Sequence, residues 1–228
     1  MTQQRPPKNA LVLGTTFTGK THAAATLARY LARPLVVIVH ELQDPTYFTG
    51  RGSDGRPLVD PDSTEFVGVT RERWQLSPAV LATARANGNR YLYLSVYDLT
   101  PEQLQQALAS LVASVRAVGD CAVIFDEAHH FASRRNAPPE LLAFSRGSRR
   151  YGVDLVYVTH RLYDIHVDIR ANLTQLILFR TIEQRDLDVL TRQLDLSAAQ
   201  LAAVRCLPNR RHIVVDRRTG RCSPPQTL

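Results

Sequence analysis

The sequence predicts an α/β domain, a single unit with a mostly parallel central sheet flanked by helices. Strand-length apolar segments alternate with helical patterns along most of the 228 residues. The segments Leu35-Val36-Val37-Ile38-Val39 and Ala122-Val123-Ile124-Phe125 are apolar at every position, as expected when helices cover both faces of a parallel sheet. A glycine-bearing loop between the first strand and the first helix completes the pattern. The chain is ample for one buried sheet.

Strands are expected at 10–14, 35–40, 66–69, 91–96, 121–126, 154–160, 174–179 and 212–216, and helices at 20–33, 101–118, 138–149, 183–194 and 197–204. The first helix places Ala24, Leu27, Ala28 and Leu31 on one face and stops before Pro34. Thr100, Pro101 and Gln103 mark the second, as N-cap, first helical residue and capping-box partner. Its buried stripe is Leu104, Ala107, Leu108, Leu111 and Val115. Residues 44–61 are rich in Gly, Pro and Asp without periodicity and read as a long excursion with a hairpin tip. Residues 1–216 form the expected domain, and 217–228 a basic, mobile tail.

Gly14-Thr15-Thr16-Phe17-Thr18-Gly19-Lys20-Thr21 is a complete P-loop between the strand Ala10–Leu13 and an Ala-rich helix. In that setting backbone N–H groups converge on a nucleotide's phosphates at a helix N-terminus. Lys20 is expected near the β- and γ-phosphates, and the Thr21 hydroxyl on Mg²⁺. ATP and Mg²⁺ are therefore the expected ligands.

The strand Cys121–Phe125 runs into Asp126-Glu127, the pattern of a Walker B element. Asp126 is expected to support Mg²⁺ and Glu127 to orient and polarise the attacking water. A water-activating carboxylate points to hydrolysis rather than phosphoryl transfer to a small molecule. A third apolar strand, Leu155–Val158, ends in Thr159-His160. Its tip is expected beside the P-loop strand at the carboxyl edge of the sheet, where ligands of open α/β folds bind. His160 is the candidate γ-phosphate sensor. Arg146, Arg149 and Arg150 cluster at the end of the preceding helix, and such arginines can reach a neighbouring subunit's γ-phosphate.

Net charge is +7, with Lys8 and Lys20 the only lysines. That balance favours a polyanionic partner, nucleic acid first. No apolar run is long enough for a membrane span, and Met1–Lys8 lacks a signal-peptide core, so a cytoplasmic setting is expected. The three cysteines Cys121, Cys206 and Cys222 show no paired spacing, and no His spacing of the His-Glu-x-x-His kind marks a metal site.

The order of elements from residue 121 onward resembles the FtsK–HerA superfamily of ring-forming, DNA-pumping ATPases. The segment Ser148-Arg149-Arg150-Tyr151-Gly152 to Thr159-His160-Arg161 carries the likeness. Arg149 and Gly152 match the family's Arg-x-x-Gly turn, and Thr159 and Arg161 match the Thr-Gln-Arg strand end, where His160 replaces Gln. The likeness spans roughly residues 8 to 195. It implies a RecA-like domain and a homo-oligomeric ring, a hexamer, with ATP at subunit interfaces and double-stranded DNA in a basic pore. Arg149 is then the trans finger, with Arg146 and Arg150 as alternates.

Among such proteins the small chain looks like the genome-packaging ATPases of membrane-containing icosahedral viruses. That implies host cytoplasm, association with the virion, and a capsid vertex or portal-like docking partner. Arg51 and Arg56 are pore candidates. The alternatives are a small P-loop kinase, a nucleotide-gated adaptor, and a plasmid or cellular DNA pump. Asp126-Glu127-Ala128-His129 also spells a DEAH box, but those helicases need two such domains per chain. His129 and His130 are expected in the first turn of a helix after Walker B.

Overall fold

The computed structural model describes residues 8–15, 18–31, 33–40, 51, 57, 62, 64–68, 77–96, 99–135 and 137–227. Its strands are β1 (Asn9–Leu13), β2 (Leu35–His40), β3 (Thr64–Gly68), β4 (Tyr91–Ser95), β5 (Cys121–Phe125), β6 (Asp154–Thr159), β7 (Gln175–Phe179), β8 (Arg211–Asp216), β9 (Arg221–Cys222) and β10 (Gln226–Thr227). The helices are α1 (Lys20–Tyr30), α2 (Pro78–Ala86), α3 (Pro101–Val118), α4 (Pro139–Gly147), α5 (Val167–Ala171), α6 (Gln184–Arg192) and α7 (Ala198–Cys206).

One sheet runs in the order β10-β8-β7-β1-β6-β5-β2-β4-β3, with β9 also paired to β8. Strands β1 to β7 are mutually parallel, and β8 runs antiparallel to β7. The α/β class and the mostly parallel sheet are as the sequence predicts. The all-apolar strands are fully covered, and every residue of β1, β2, β5 and β6 is buried.

Alternate residues of the same strands feed two cores. Leu11, Val37, Val123 and Leu155 face the α3 stripe of Ala107, Leu108, Leu111 and Val115. Val12, Ile38, Ile124 and Val156 face Ala24, Ala25 and Ala28 of α1. Small alanines let α1 lie close to the sheet, fixing the phosphate loop that precedes it.

Several elements depart from expectation. Helix α1 ends at Tyr30, and Leu31 is already extended. The helix expected at 138–149 is α4 followed by a 3-10 turn over Ser148–Tyr151. Helix α2 has no counterpart in the sequence reading. Residues 126–131 form turns instead of the helix expected to hold His129 and His130, because Glu127 adopts a left-handed φ of 52°. Residues 217–228, set apart as a tail, carry β9 and β10, both paired with β8. In the excursion, Arg51 bridges Pro57, while Arg56 lies outside the described residues.

Candidate active site

The carboxyl ends of β1, β6, β5 and β2 lie side by side, with Leu13 opposite Thr159 and Val39 opposite Phe125. This edge gathers Gly14, Lys20, Asp126, Glu127 and His160, which the sequence spreads from residue 14 to residue 160. As expected, β6 lies beside the P-loop strand; it also separates that strand from the Walker B strand β5.

The loop after β1 is fixed from both sides. Thr15 N–H donates to Arg180 O at 2.9 Å, and the Thr18 hydroxyl donates to Thr15 O at 2.7 Å. A Cβ on Gly14 would meet Phe179 Cβ at 2.5 Å and Thr18 Oγ1 at 2.7 Å, so only glycine fits. Gly19 caps α1 in a left-handed conformation, φ 97°. Lys20 Nζ donates to Thr15 O at 2.9 Å. Burial pulls its ammonium below the ordinary value, against the opposing pull of the Glu127 and Asp126 carboxylates. Thr21 follows in the first turn of α1, and Thr16 and Phe17 lie outside the described residues.

Asp126 is buried at the end of β5. One carboxylate oxygen accepts the Glu127 N–H at 3.0 Å, and the other lies 3.5 Å from His40 Nε2. His40 ends β2 and stacks on Tyr93. No motif marked it; it is at the site because β2 pairs with β5.

The left-handed bend at Glu127 brings its carboxylate to β6. Glu127 Oε2 lies 3.0 Å from His160 Nδ1 and 3.5 Å from His129 Nδ1. The Ala128 N–H holds the turn by donating to Val158 O at 2.7 Å. His129 Nδ1 also lies 3.2 Å from Thr159 Oγ1, which accepts the Arg161 N–H at 2.9 Å. The His129 and His160 rings meet edge to face with centroids 4.6 Å apart. Burial, reinforced by His130, His160, Arg161 and Lys20, pushes the His129 pKa down to about 3, so its imidazole is neutral.

A cavity of about 410 Å³ extends from this cluster, bounded by Thr15, His160, Arg161, Tyr163 and Asp186. The arrangement can seat a polyphosphate at Gly14–Thr21 and polarise a water at Glu127. The oxygen donors Asp126 and Thr21 suit a hard cation such as Mg²⁺.

The structure does not bring Arg146, Arg149 or Arg150 to this edge. Arg149 and Arg150 are exposed on the 3-10 turn just before β6, at the opposite, amino edge of the sheet. Arg146 donates to Asp168 Oδ2 at 2.5 Å.

No protein-family model and no curated protein matches the sequence. Solved structures do match in fold. The genome packaging NTPase B204 from Sulfolobus turreted icosahedral virus 2, solved with sulfate, shares 15% identity, TM-score 0.69 and 98% coverage of both chains. VirB4 of Thermoanaerobacter pseudethanolicus shares 12% identity and TM-score 0.65 over 95% of this chain and 88% of its own. The N-terminal domain of zonular occludens toxin from Neisseria meningitidis gives 12% identity and TM-score 0.50 over 98% and 95%. The likeness is one of fold: like these structures, the chain is a single α/β domain on a mostly parallel sheet.

Proposed function

We propose that the protein is a Mg²⁺-dependent ATPase that drives double-stranded DNA through a homo-oligomeric ring, most simply a hexamer. Its proposed work is viral genome packaging in the host cytoplasm and at the virion, docked on a capsid vertex or portal-like protein. The observation that carries this reading is the Glu127–His160 contact at 3.0 Å, on the edge that also holds Lys20 and Asp126. A kinase has no need of a water-activating carboxylate there. B204, solved also with AMPPCP and ATP-γS and named a genome packaging NTPase, supports the nucleotide and the setting. The charge of +7 supports a polyanionic partner.

In this reading the phosphates lie along Gly14–Thr21, and Lys20 offsets their charge. Mg²⁺, held by Thr21 and Asp126, would neutralise charge that develops on the phosphate oxygens. Glu127 polarises the attacking water and takes its proton. His160 donates from Nδ1 to the Glu127 carboxylate and orients it, so that loss of the γ-phosphate beside Glu127 changes the contact. Arg149 supplies positive charge to a neighbour's nucleotide.

The test is ATP hydrolysis with and without linear duplex DNA across a salt series, with mass measured by light scattering. Duplex should stimulate turnover, the stimulation should fall steeply with salt, and the mass should be that of a multi-subunit ring. Glu127→Gln should lower turnover by about 10²–10⁴-fold. A single chain whose hydrolysis ignores duplex at every salt concentration would overturn the reading.

A further inference from the structure

We propose that Glu127, His129 and His160 form a binding site for one divalent transition-metal ion of the Zn²⁺ class, and that filling it arrests hydrolysis. The second half rests on the reading of Glu127 as the water-activating group; the first does not.

Each of the three side chains offers one ligand atom, and these atoms lie within 4.8 Å of one another. Glu127 Oε2 is 3.0 Å from His160 Nδ1 and 3.5 Å from His129 Nδ1. Zinc bonds of about 2.0–2.1 Å in a tetrahedron set donors about 3.3 Å apart. The two separations bracket that spacing, and the two imidazole nitrogens, within 4.8 Å of each other, would close by up to about 1.5 Å through side-chain rotation. Two imidazoles and a carboxylate, with a fourth position open, are a donor set typical of zinc in enzymes.

Backbone constraints favour the arrangement. Glu127 is held by its left-handed bend and by the Ala128 N–H bond to Val158 O, and His160 follows directly on β6. Thr159 Oγ1 accepts the Arg161 N–H, leaving its own hydrogen for His129 Nδ1 in the metal-free protein. That hydrogen can turn away when a metal takes the lone pair. The site differs in kind from the Mg²⁺ position: imidazole nitrogens favour zinc, cobalt or nickel, whereas Mg²⁺ takes oxygen donors such as Asp126 and Thr21. An ion across Glu127 and His160 would occupy the carboxylate needed to polarise water. Nucleotide could remain bound while turnover stops.

The test uses the full chain without nucleotide, titrated with Co²⁺ as a spectroscopic probe and then with Zn²⁺. Cys206 and Cys222 are exposed thiols, so a Cys206→Ser/Cys222→Ser variant is titrated in parallel. The expected result is one Co²⁺ per chain, with the strong visible bands of a four-coordinate nitrogen and oxygen site, displaced by Zn²⁺ and unchanged by the serines. Loss of an outer-shell partner costs about 10–100-fold in metal affinity, so His129→Ala and His160→Ala should each cost about 100-fold or more. His160 is the more exposed of the two, which makes His160→Ala the decisive variant should His129→Ala unfold.

Absence of these bands, or an unchanged affinity in His160→Ala, overturns the site. Hydrolysis is then followed at saturating Mg²⁺ with Zn²⁺ added. Inhibition that tracks metal occupancy supports the second half, and unaffected turnover overturns it. Histidine-dependent cobalt binding in a chain without any ATPase activity would overturn the functional reading and the arrest while the site survives. Turnover without cobalt binding would overturn the site alone.

Discussion

Gly14 stands where β1 passes the chain to the phosphate loop, and a side chain there has no room. The added carbon of Gly14→Ala would lie 2.5 Å from Phe179 Cβ and 2.7 Å from Thr18 Oγ1, both parts of the frame that shapes the loop. Overpacking of this kind costs about 1–3 kcal/mol. The strain can be relieved by pushing the loop off β7, which breaks the Thr15–Arg180 contact at 2.9 Å. Gly14→Ala is therefore expected to weaken binding of a fluorescent ATP analogue by about tenfold or more, with a smaller loss of thermal stability. Unchanged affinity would show that the loop tolerates the displacement. Gly14 and Gly19 were legible in the sequence because a linear motif encodes a local backbone shape. His40 and His129 were not, since each reaches the site by strand pairing or by a left-handed bend that no spacing rule reports. The sequence assigned His129 to a helix for the same reason: nothing in Asp126-Glu127-Ala128-His129 signals that Glu127 will leave the helical region.

Elements with strong local signals were read to within a few residues. Helix α3 begins at Pro101 with Thr100 and Gln103 in a reciprocal capping box, as their spacing requires. Helix α2 escaped because Leu81 and Ala84 are its only fully buried residues, too thin a stripe to show as periodicity. The end strands β9 and β10 escaped because two-residue strands depend wholly on β8 for their pairing. Strand β8 carries a titratable liability of its own. His212 is buried against Phe179, ring centroids 5.2 Å apart, and its Nδ1 has no hydrogen-bond partner. Burial lowers its pKa from 6.5. Below that value the unfolded chain takes a proton that the folded chain refuses, so stability is lost as pH falls towards the folded pKa. His22 and His129 contribute in the same direction. His212→Phe should remove one such contribution. Relative to the parent, the variant is expected to gain stability as pH falls from 6.5 to 5, measured by urea unfolding at each pH. Parallel pH profiles for the two proteins would show that His212 charges freely in the folded state.

At the scale of the whole molecule, the two edges of the sheet have different chemistry. The carboxyl edge gathers the P-loop, Asp126, Glu127 and His160. The amino edge is clamped by the Arg33 guanidinium, which donates to buried Asp154 at 2.8 Å and to half-exposed Asp120 at 2.9 Å. The turn that carries Arg149 is seated on this clamp. Asp120 N–H donates to Tyr151 O, Gly152 closes the turn with a φ of 70°, and Arg116 lies over the rings of Phe144 and Tyr151. Arg149 is thus presented from a fixed platform at the edge opposite its own P-loop. A rigid domain cannot swing that guanidinium across the sheet, so any role in catalysis must be played on another subunit. In a ring built from head-to-tail interfaces, each nucleotide would meet the next chain's Arg149. Arg149→Ala and Lys20→Ala rings should each be nearly inactive, with the arginine change costing about 10³–10⁵-fold in rate. Mixed in equal amounts before assembly, they should regain activity. About a quarter of interfaces then pair an intact P-loop with an intact Arg149 if the subunits distribute at random. Full activity of Arg149→Ala alone, or mixed rings that stay inactive, would remove Arg149 from the mechanism. Repeating the mixture with Arg146→Ala or Arg150→Ala in its place identifies which arginine of the cluster crosses the interface.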